Sequence, residues 1–132
     1  MNILVDTSIW SFALRRQHKN NGSETRKLQE IILSGEKIYV TGIILQEILQ
    51  GIKADSQFNK LKSYFEVFPL ISPGRETYIY AAALSNKCRR SGIQLTTIDC
   101  LIASIAIQHD CYLLTADRDF ALVAKVAPLK LL

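Results

Sequence analysis

Short apolar runs, each closed by a polar residue and followed by a helical pattern, recur along the chain. This alternation limits the fold more than any other feature. Asn2-Ile3-Leu4-Val5 is apolar without a polar face and is stopped by Asp6. A strand with no polar face must be buried on both sides, as strands of a parallel sheet are between helices. Ile38 to Thr41 and Tyr112 to Thr115 read the same way. Val67 to Ile71 is a further short strand; its Pro69 has no N–H to give a neighbour, which assigns it to an edge. Leu129 to Leu132 is the last.

The intervening segments carry helical spacing and cap chemistry. Asp6-Thr7-Ser8 introduces a helix over Ser8 to Gln17, with Ile9, Phe12 and Ala13 on one face. Ser23 is predicted to cap a second helix, striped by Leu28, Ile31 and Ile32, with Gly35 just past its end. Thr41 is predicted to cap a helix reaching about Ile52, and another follows over Ser56 to Phe65. A long helix starts after Ser72-Pro73-Gly74 and stops near Gly92. Thr96-Thr97 caps the next, Ile98 to His109, and Asp119 to Lys125 is a short one. The alternation predicts a single α/β domain over residues 1–132: three α/β/α layers around a short, largely parallel sheet. In such sheets, sites form beyond the carboxyl ends of strands, where strand order reverses.

Composition narrows the chemistry. With 48% hydrophobic residues, a core needs no metal or disulfide staples. The three cysteines, Cys88, Cys100 and Cys111, are odd in number and lack CxxC spacing, which argues against a secreted disulfide scaffold and a four-ligand zinc site. No run approaches the roughly 20 apolar residues of a membrane span, and Asp6 interrupts the N-terminal run at once. The expectation is a soluble, cytoplasmic protein without a membrane partner. The charge is 16 − 12 = +4, mildly basic and compatible with an anionic partner. There is no phosphate-binding glycine loop, dinucleotide fingerprint or HExxH helix, and His18 and His109 form no motif.

The acids repay closer attention. Asp6 directly follows the first strand, Asp117 lies just past the strand ending at Thr115, and Asp99 sits in the first turn of its helix. Singly, each also fits an ordinary structural role: a cap, a partner for a helix dipole, a turn residue. Glu47 flanks the apolar stripe of Ile44, Leu45, Ile48 and Leu49, one turn before Gly51, a glycine that hints at close approach by another group. If the sheet forms, Asp6 and Asp117 share one edge of it, and helices starting there bring Glu47 and Asp99 alongside. Carboxylates about 5 Å apart repel by roughly 3 kcal/mol per pair at an effective dielectric of about 20. Such a cluster calls for protonation or a cation, and an all-oxygen donor set suits Mg²⁺ or Mn²⁺.

These motifs together resemble a known family. Leu4-Val5-Asp6-Thr7-Ser8, then Glu47 with Gly51, then Asp99-Cys100-Leu101-Ile102-Ala103, then Leu114-Thr115-Ala116-Asp117-Arg118-Asp119-Phe120 resembles the PIN domain. Length and motif order are similar to the VapC ribonuclease toxins of toxin–antitoxin pairs. The resemblance implies that Asp6, Glu47, Asp99 and Asp117 match an acidic quartet that binds Mg²⁺ or Mn²⁺ and cleaves RNA phosphodiesters through a metal-activated water. Thr7, Ser8 and Thr115 would then orient carboxylates or waters. It also implies a small VapB-like antitoxin and a homodimer. Asp119 precedes a short helix and is assigned as its N-cap, leaving Asp117 as the late metal-linked acid. Arg15, Arg16, Lys19, Arg89 and Arg90 are the candidate RNA phosphate contacts. A phosphatase of the haloacid-dehalogenase type would need a second aspartate where Ser8 stands. A PIN-like module that binds RNA or protein without cutting is the alternative; a broken quartet would signal it, and this quartet is complete.

Overall fold

The computed structural model describes residues 1–14 and 22–132. Five strands, β1 (Asn2–Val5), β2 (Lys37–Thr41), β3 (Leu70–Ile71), β4 (Tyr112–Leu114) and β5 (Lys130–Leu131), form one sheet in the order β3-β2-β1-β4-β5. Every pairing is parallel. The described helices are α1 (Thr7–Leu14), α2 (Ser23–Ser34), α3 (Gly42–Leu49), α4 (Asp55–Phe65), α5 (Arg75–Arg90), α6 (Thr97–Gln108) and α7 (Asp119–Val123). The expected three-layer α/β/α arrangement is what the chain adopts.

The reason lies in the strands. Ile3, Leu4 and Val5 are successive residues, so they point to alternate faces, yet each is at most 1% exposed. Only a sheet covered on both faces buries all three. Leu113 and Leu114 of β4 are buried in the same way. Among the helices α5 packs on α6, and α1 packs on both α2 and α3. Trp10 of α1 is fully buried and meets Phe65 edge-on, with centroids 4.8 Å apart, and Phe68 at 5.4 Å. Such aromatic pairs are worth about 0.5–1.5 kcal/mol beyond their buried area.

The boundaries depart from the sequence reading in instructive places. The strand expected over Val67 to Ile71 is confined to Leu70–Ile71, because Glu66 and Phe68 donate backbone hydrogen bonds to Ser63 and Phe65 in a turn. Its edge position is as Pro69 indicates. Ser23 begins α2 and does not cap it; Gly22 holds that position. Gly35 closes the helix in the left-handed region, at φ 80°. The end of the helix expected to reach Gln17 falls outside the described residues. Gly51 has φ 89°, and a Cβ there would meet nothing within 4 Å. Its glycine therefore answers the backbone turn after α3 and not close approach by another group.

Chain order reverses at β1, since β2 and β3 lie to one side and β4 and β5 to the other. Asp6 follows β1 at this switch point.

Candidate active site

The β1–β4 ladder continues past the last residue of β1: the Asp6 N–H donates to the Leu114 carbonyl at 2.9 Å. The Asp6 carbonyl then accepts from Ile9 and Trp10 at 3.1 and 3.3 Å, which starts α1. The backbone thus does the helix-starting work, and the side chain is left for other partners. Only 6% of Asp6 is exposed. Its Oδ2 accepts from Ser8 Oγ at 2.9 Å and from Thr115 Oγ1 at 2.8 Å.

Both hydroxyls are fixed in direction. Ser8 Oγ accepts from the Ala116 N–H at 3.1 Å, and Thr115 Oγ1 accepts from the Asp117 N–H at 3.0 Å. A backbone N–H can only donate, so each hydroxyl spends its single proton on Asp6. The two hydroxyl oxygens come within 3.5 Å of one another, with no proton left to share. Ser8 and Thr115 therefore lock one oxygen of Asp6 and leave Oδ1 clear of both.

The next shell of contacts gathers the other acids. Thr7 Oγ1 donates to Glu47 Oε1 at 2.8 Å, tying α3 to the start of α1. Thr96 caps α6 as its sequence implies, its Oγ1 accepting from the Asp99 N–H at 3.1 Å. Burial pushes the Asp99 carboxyl above the usual carboxylate range. A hydrogen bond with Thr96 acts in the opposite sense, and the charges of Asp117, Asp6 and Glu47 add to the rise. Asp99 thus registers all three other acids. Asp119 is absent from that set and is exposed.

The assignment of Asp119 as N-cap is corrected. Asp119 is the first residue of α7, Arg118 holds the cap position, and no side chain of that residue caps the helix. The Asp119 N–H instead donates to Asp117 Oδ1 at 2.9 Å. Asp117, two residues upstream, has the reach that a residue inside the helix lacks. Thr41 is a second correction. It stands at the N-cap of α3, but its hydroxyl makes no cap bond.

Of the basic candidates, Arg15, Arg16 and Lys19 lie outside the described residues. Arg89 and Arg90 are exposed in the last turn of α5, and the Arg89 charge is felt at Cys100, next to Asp99. A cleft of about 520 Å³ opens beside Glu47, lined by Ser11 of α1, Gln50, and Gln57, Lys60 and Tyr64 of α4. Lys60 was legible only as one of several scattered lysines; nothing in the sequence sets it apart.

The site's donors are carboxylate and hydroxyl oxygens, hard ligands of the kind Mg²⁺ and Mn²⁺ take. Among the described residues, no three side chains of the acid, histidine or cysteine type close into a ready cage. Mg²⁺ does not require one, since it keeps several waters and takes one or two protein carboxylates. The residues fit such an ion.

The pattern of the PIN domain matches residues 3–126, and the chain belongs to the PIN domain family. It is 32% identical over 132 residues to VapC ribonuclease Mb1587 of Mycobacterium bovis, covering 97% of this chain and 96% of that protein. The same figures hold for Ribonuclease VapC11 of Mycobacterium tuberculosis. Among solved structures, VapBC2 from Rickettsia felis bound to a promoter DNA fragment superposes with a TM-score of 0.79. The match is 24% identical and covers 100% of this chain and 98% of that one.

Proposed function

We propose that the chain is a VapC-type toxin: an endoribonuclease that hydrolyses RNA phosphodiesters with Mg²⁺ or Mn²⁺. Asp6, Glu47, Asp99 and Asp117 are its catalytic and metal-holding acids. One observation carries the reading: the Asp99 carboxyl, raised first by burial, is raised further by the charges of Asp117, Asp6 and Glu47, while none of the four forms an ion pair with a described cation. A set of acids so arranged is compensated by a bound cation. Membership of the PIN family and the VapC relatives support the same reading.

The chain's own residues divide the work. Ser8 and Thr115 hold Asp6 Oδ2, so that Oδ1 is presented in one orientation. Thr7 fixes Glu47, and Thr96 fixes the turn that carries Asp99. When bound, the cation supplies a more acidic water and stabilises charge on the phosphoryl oxygens. Attack of water on phosphorus then expels the 3′-oxygen in line. No described hydroxyl of the site has a histidine or lysine hydrogen-bonded to it as a base, which favours direct hydrolysis over a covalent route. Arg89 and Arg90, with Arg15, Arg16 and Lys19, are proposed to hold flanking phosphates.

A VapB-like antitoxin and a homodimer are part of the proposal, as is a cytoplasmic location. Among the described residues no helix is long and apolar enough to cross a membrane. The Rickettsia felis relative was solved as VapBC2 on promoter DNA. The test is cleavage of structured and unstructured RNA with Mg²⁺, Mn²⁺ or EDTA. Cleavage that survives EDTA, or survives Asp6→Asn in a folded protein, rejects the site. RNA retention without cleavage points to the binding module instead. For the toxin role, expression alone should arrest growth, and a co-expressed antitoxin should relieve it.

A further inference from the structure

Among the described residues two buried side-chain polar atoms lack a hydrogen-bond partner, Trp10 Nε1 and Thr41 Oγ1, and the second stands at the end of β2. Thr41, the last residue of β2, is 1% exposed, and its Oγ1 is buried without a hydrogen-bond partner. Sequence logic assigns this hydroxyl to capping α3. The backbone holds the cap position, at φ −115° and ψ 157°, and the side chain does not take up the role. Departures of this kind from a strong local preference concentrate at functional sites.

The sheet register says what the hydroxyl faces. β1 and β2 pair Leu4 with Tyr39, and β1 and β4 pair Val5 with Leu114. Carrying each register to Asp6 sets Thr41 on one side of it and Thr115 on the other, with all three side chains on one face of the sheet. On the far side of Thr41 the paired residue is Ile71, which offers no polar atom. The row therefore reads Ile71, Thr41, Asp6, Thr115, and within it Asp6 is the polar residue beside Thr41. Thr115 already holds Asp6 Oδ2. Neighbouring strands lie about 4.8 Å apart, a gap that one water spans between a hydroxyl and a carboxylate.

We propose that Thr41 is a positioning residue of the acidic site. Its hydroxyl holds a water against Asp6 Oδ1, the oxygen that Ser8 and Thr115 leave clear, and that water belongs to the hydration shell of the bound divalent cation. The inference rests on the metal-dependent reading above and deepens it. Asp6 is then gripped from both sides, by Thr115 directly and by Thr41 through water. α3, which starts immediately after Thr41 and carries Glu47, is tied to the same ion.

The test is calorimetric titration of Mg²⁺, and separately Mn²⁺, into the full chain without RNA, alongside melts of the metal-free proteins. Thr41→Val keeps the shape and deletes the hydroxyl. It should weaken cation binding about tenfold while the metal-free melting temperature stays level or rises, because an unpartnered buried oxygen is gone. Thr41→Ser should return affinity to within about twofold of the parent chain. If Thr41→Val does not fold, Thr41→Ala replaces it, and a serine variant that binds no better than the alanine variant overturns the proposal. Equal affinities of the parent and valine proteins, with or without a lower melting temperature, also overturn it and leave the metal reading standing. A parent chain that binds neither cation overturns both.

Discussion

The two edges of the sheet treat acidic side chains in opposite ways. At the amino edge, Glu36 precedes β2 and pairs with the Met1 ammonium, and Asp110 precedes β4 and pairs with Lys130 of β5. Lys130 also lies 4.8 Å from the centre of the Tyr112 ring. At the carboxyl edge, Asp6, Glu47, Asp99 and Asp117 have hydroxyls and backbone N–H groups as partners, and no ion pair with a described cation. The amino-edge acids are satisfied within the fold, in exposed pairs that contribute little. The carboxyl-edge acids have no charge partner among the described residues, the pattern expected of acids that take part in chemistry.

The strongest way to break this contrast is to neutralise one acid at each edge. Asp6→Asn or Asp99→Asn should lower RNA cleavage by about a hundred- to a thousandfold, the scale seen when transition-state charge stabilisation is removed. Asp110→Asn and Glu36→Gln should leave the rate within about twofold, since surface ion pairs seldom matter. Steady-state cleavage of one RNA by all four proteins decides it, and an amino-edge variant as damaged as Asp6→Asn would erase the distinction. A second comparison needs no substrate. Mg²⁺ at about a hundred times its dissociation constant should stabilise the parent chain by about 2.7 kcal/mol. Thermal melts should show the same gain in the Asp110→Asn protein and little of it in Asp6→Asn.

The sequence carried the architecture because its strands are uniformly apolar: Ile3-Leu4-Val5 admits no solvent-facing side, so a covered parallel sheet follows. Asp6 was legible for a related reason, as an acid ending a buried strand. Glu47 was harder, because its argument leaned on Gly51, and that glycine serves a left-handed turn instead. Caps divide the same way. Thr96 and Thr41 look alike in sequence, each a threonine before an apolar helix, yet only Thr96 bonds its helix. Cap position follows from local preference, whereas the direction of a hydroxyl depends on what the neighbouring strand offers. The grip of Thr115 on Asp6 spans 109 residues of chain, a separation no local pattern encodes.

pH sharpens the comparison further. Burial and three neighbouring acids raise the Asp99 carboxyl above its ordinary value of 3.8. A carboxyl raised on folding contributes stability that is complete below its unfolded value and is lost as pH rises through the folded one. The contribution of Asp99 to the stability of the metal-free chain should therefore decline as pH rises from the carboxyl's ordinary value of 3.8 through its raised one. Asp99→Asn should remove part of that slope, melting at or above the parent chain near neutral pH. At the amino edge, the hydrogen bond from Lys130 to Asp110 raises the lysine above 10.5. Its contribution is lost only as pH rises through that higher value, so Asp110→Asn should leave the acid-to-neutral slope unchanged. Melts of the EDTA-treated proteins across pH read both; a steeper fall in stability with pH in Asp99→Asn than in the parent would contradict a carboxyl raised by burial and by its acidic neighbours.

The smallest expected effect separates two acids that stand side by side. Asp117 Oδ1 accepts the Asp119 N–H, whereas the Asp119 side chain caps nothing. Removing the acceptor with Asp117→Ala should cost about 1 kcal/mol, the usual worth of a cap. Asp117→Asn keeps an oxygen in place and should melt with the parent, but its lost charge should reduce cleavage at low Mg²⁺. Asp119→Ala should stay within about 0.5 kcal/mol, as exposed substitutions do, and keep its cleavage. The charge of Asp117 is among those felt at Asp99, which favours Asp117 as the acid joined to the cluster. Should Asp119→Asn abolish cleavage while Asp117→Asn binds Mg²⁺ normally, the two are assigned the wrong way round, and the carboxyl edge gathers its charge through α7 and not through the end of β4.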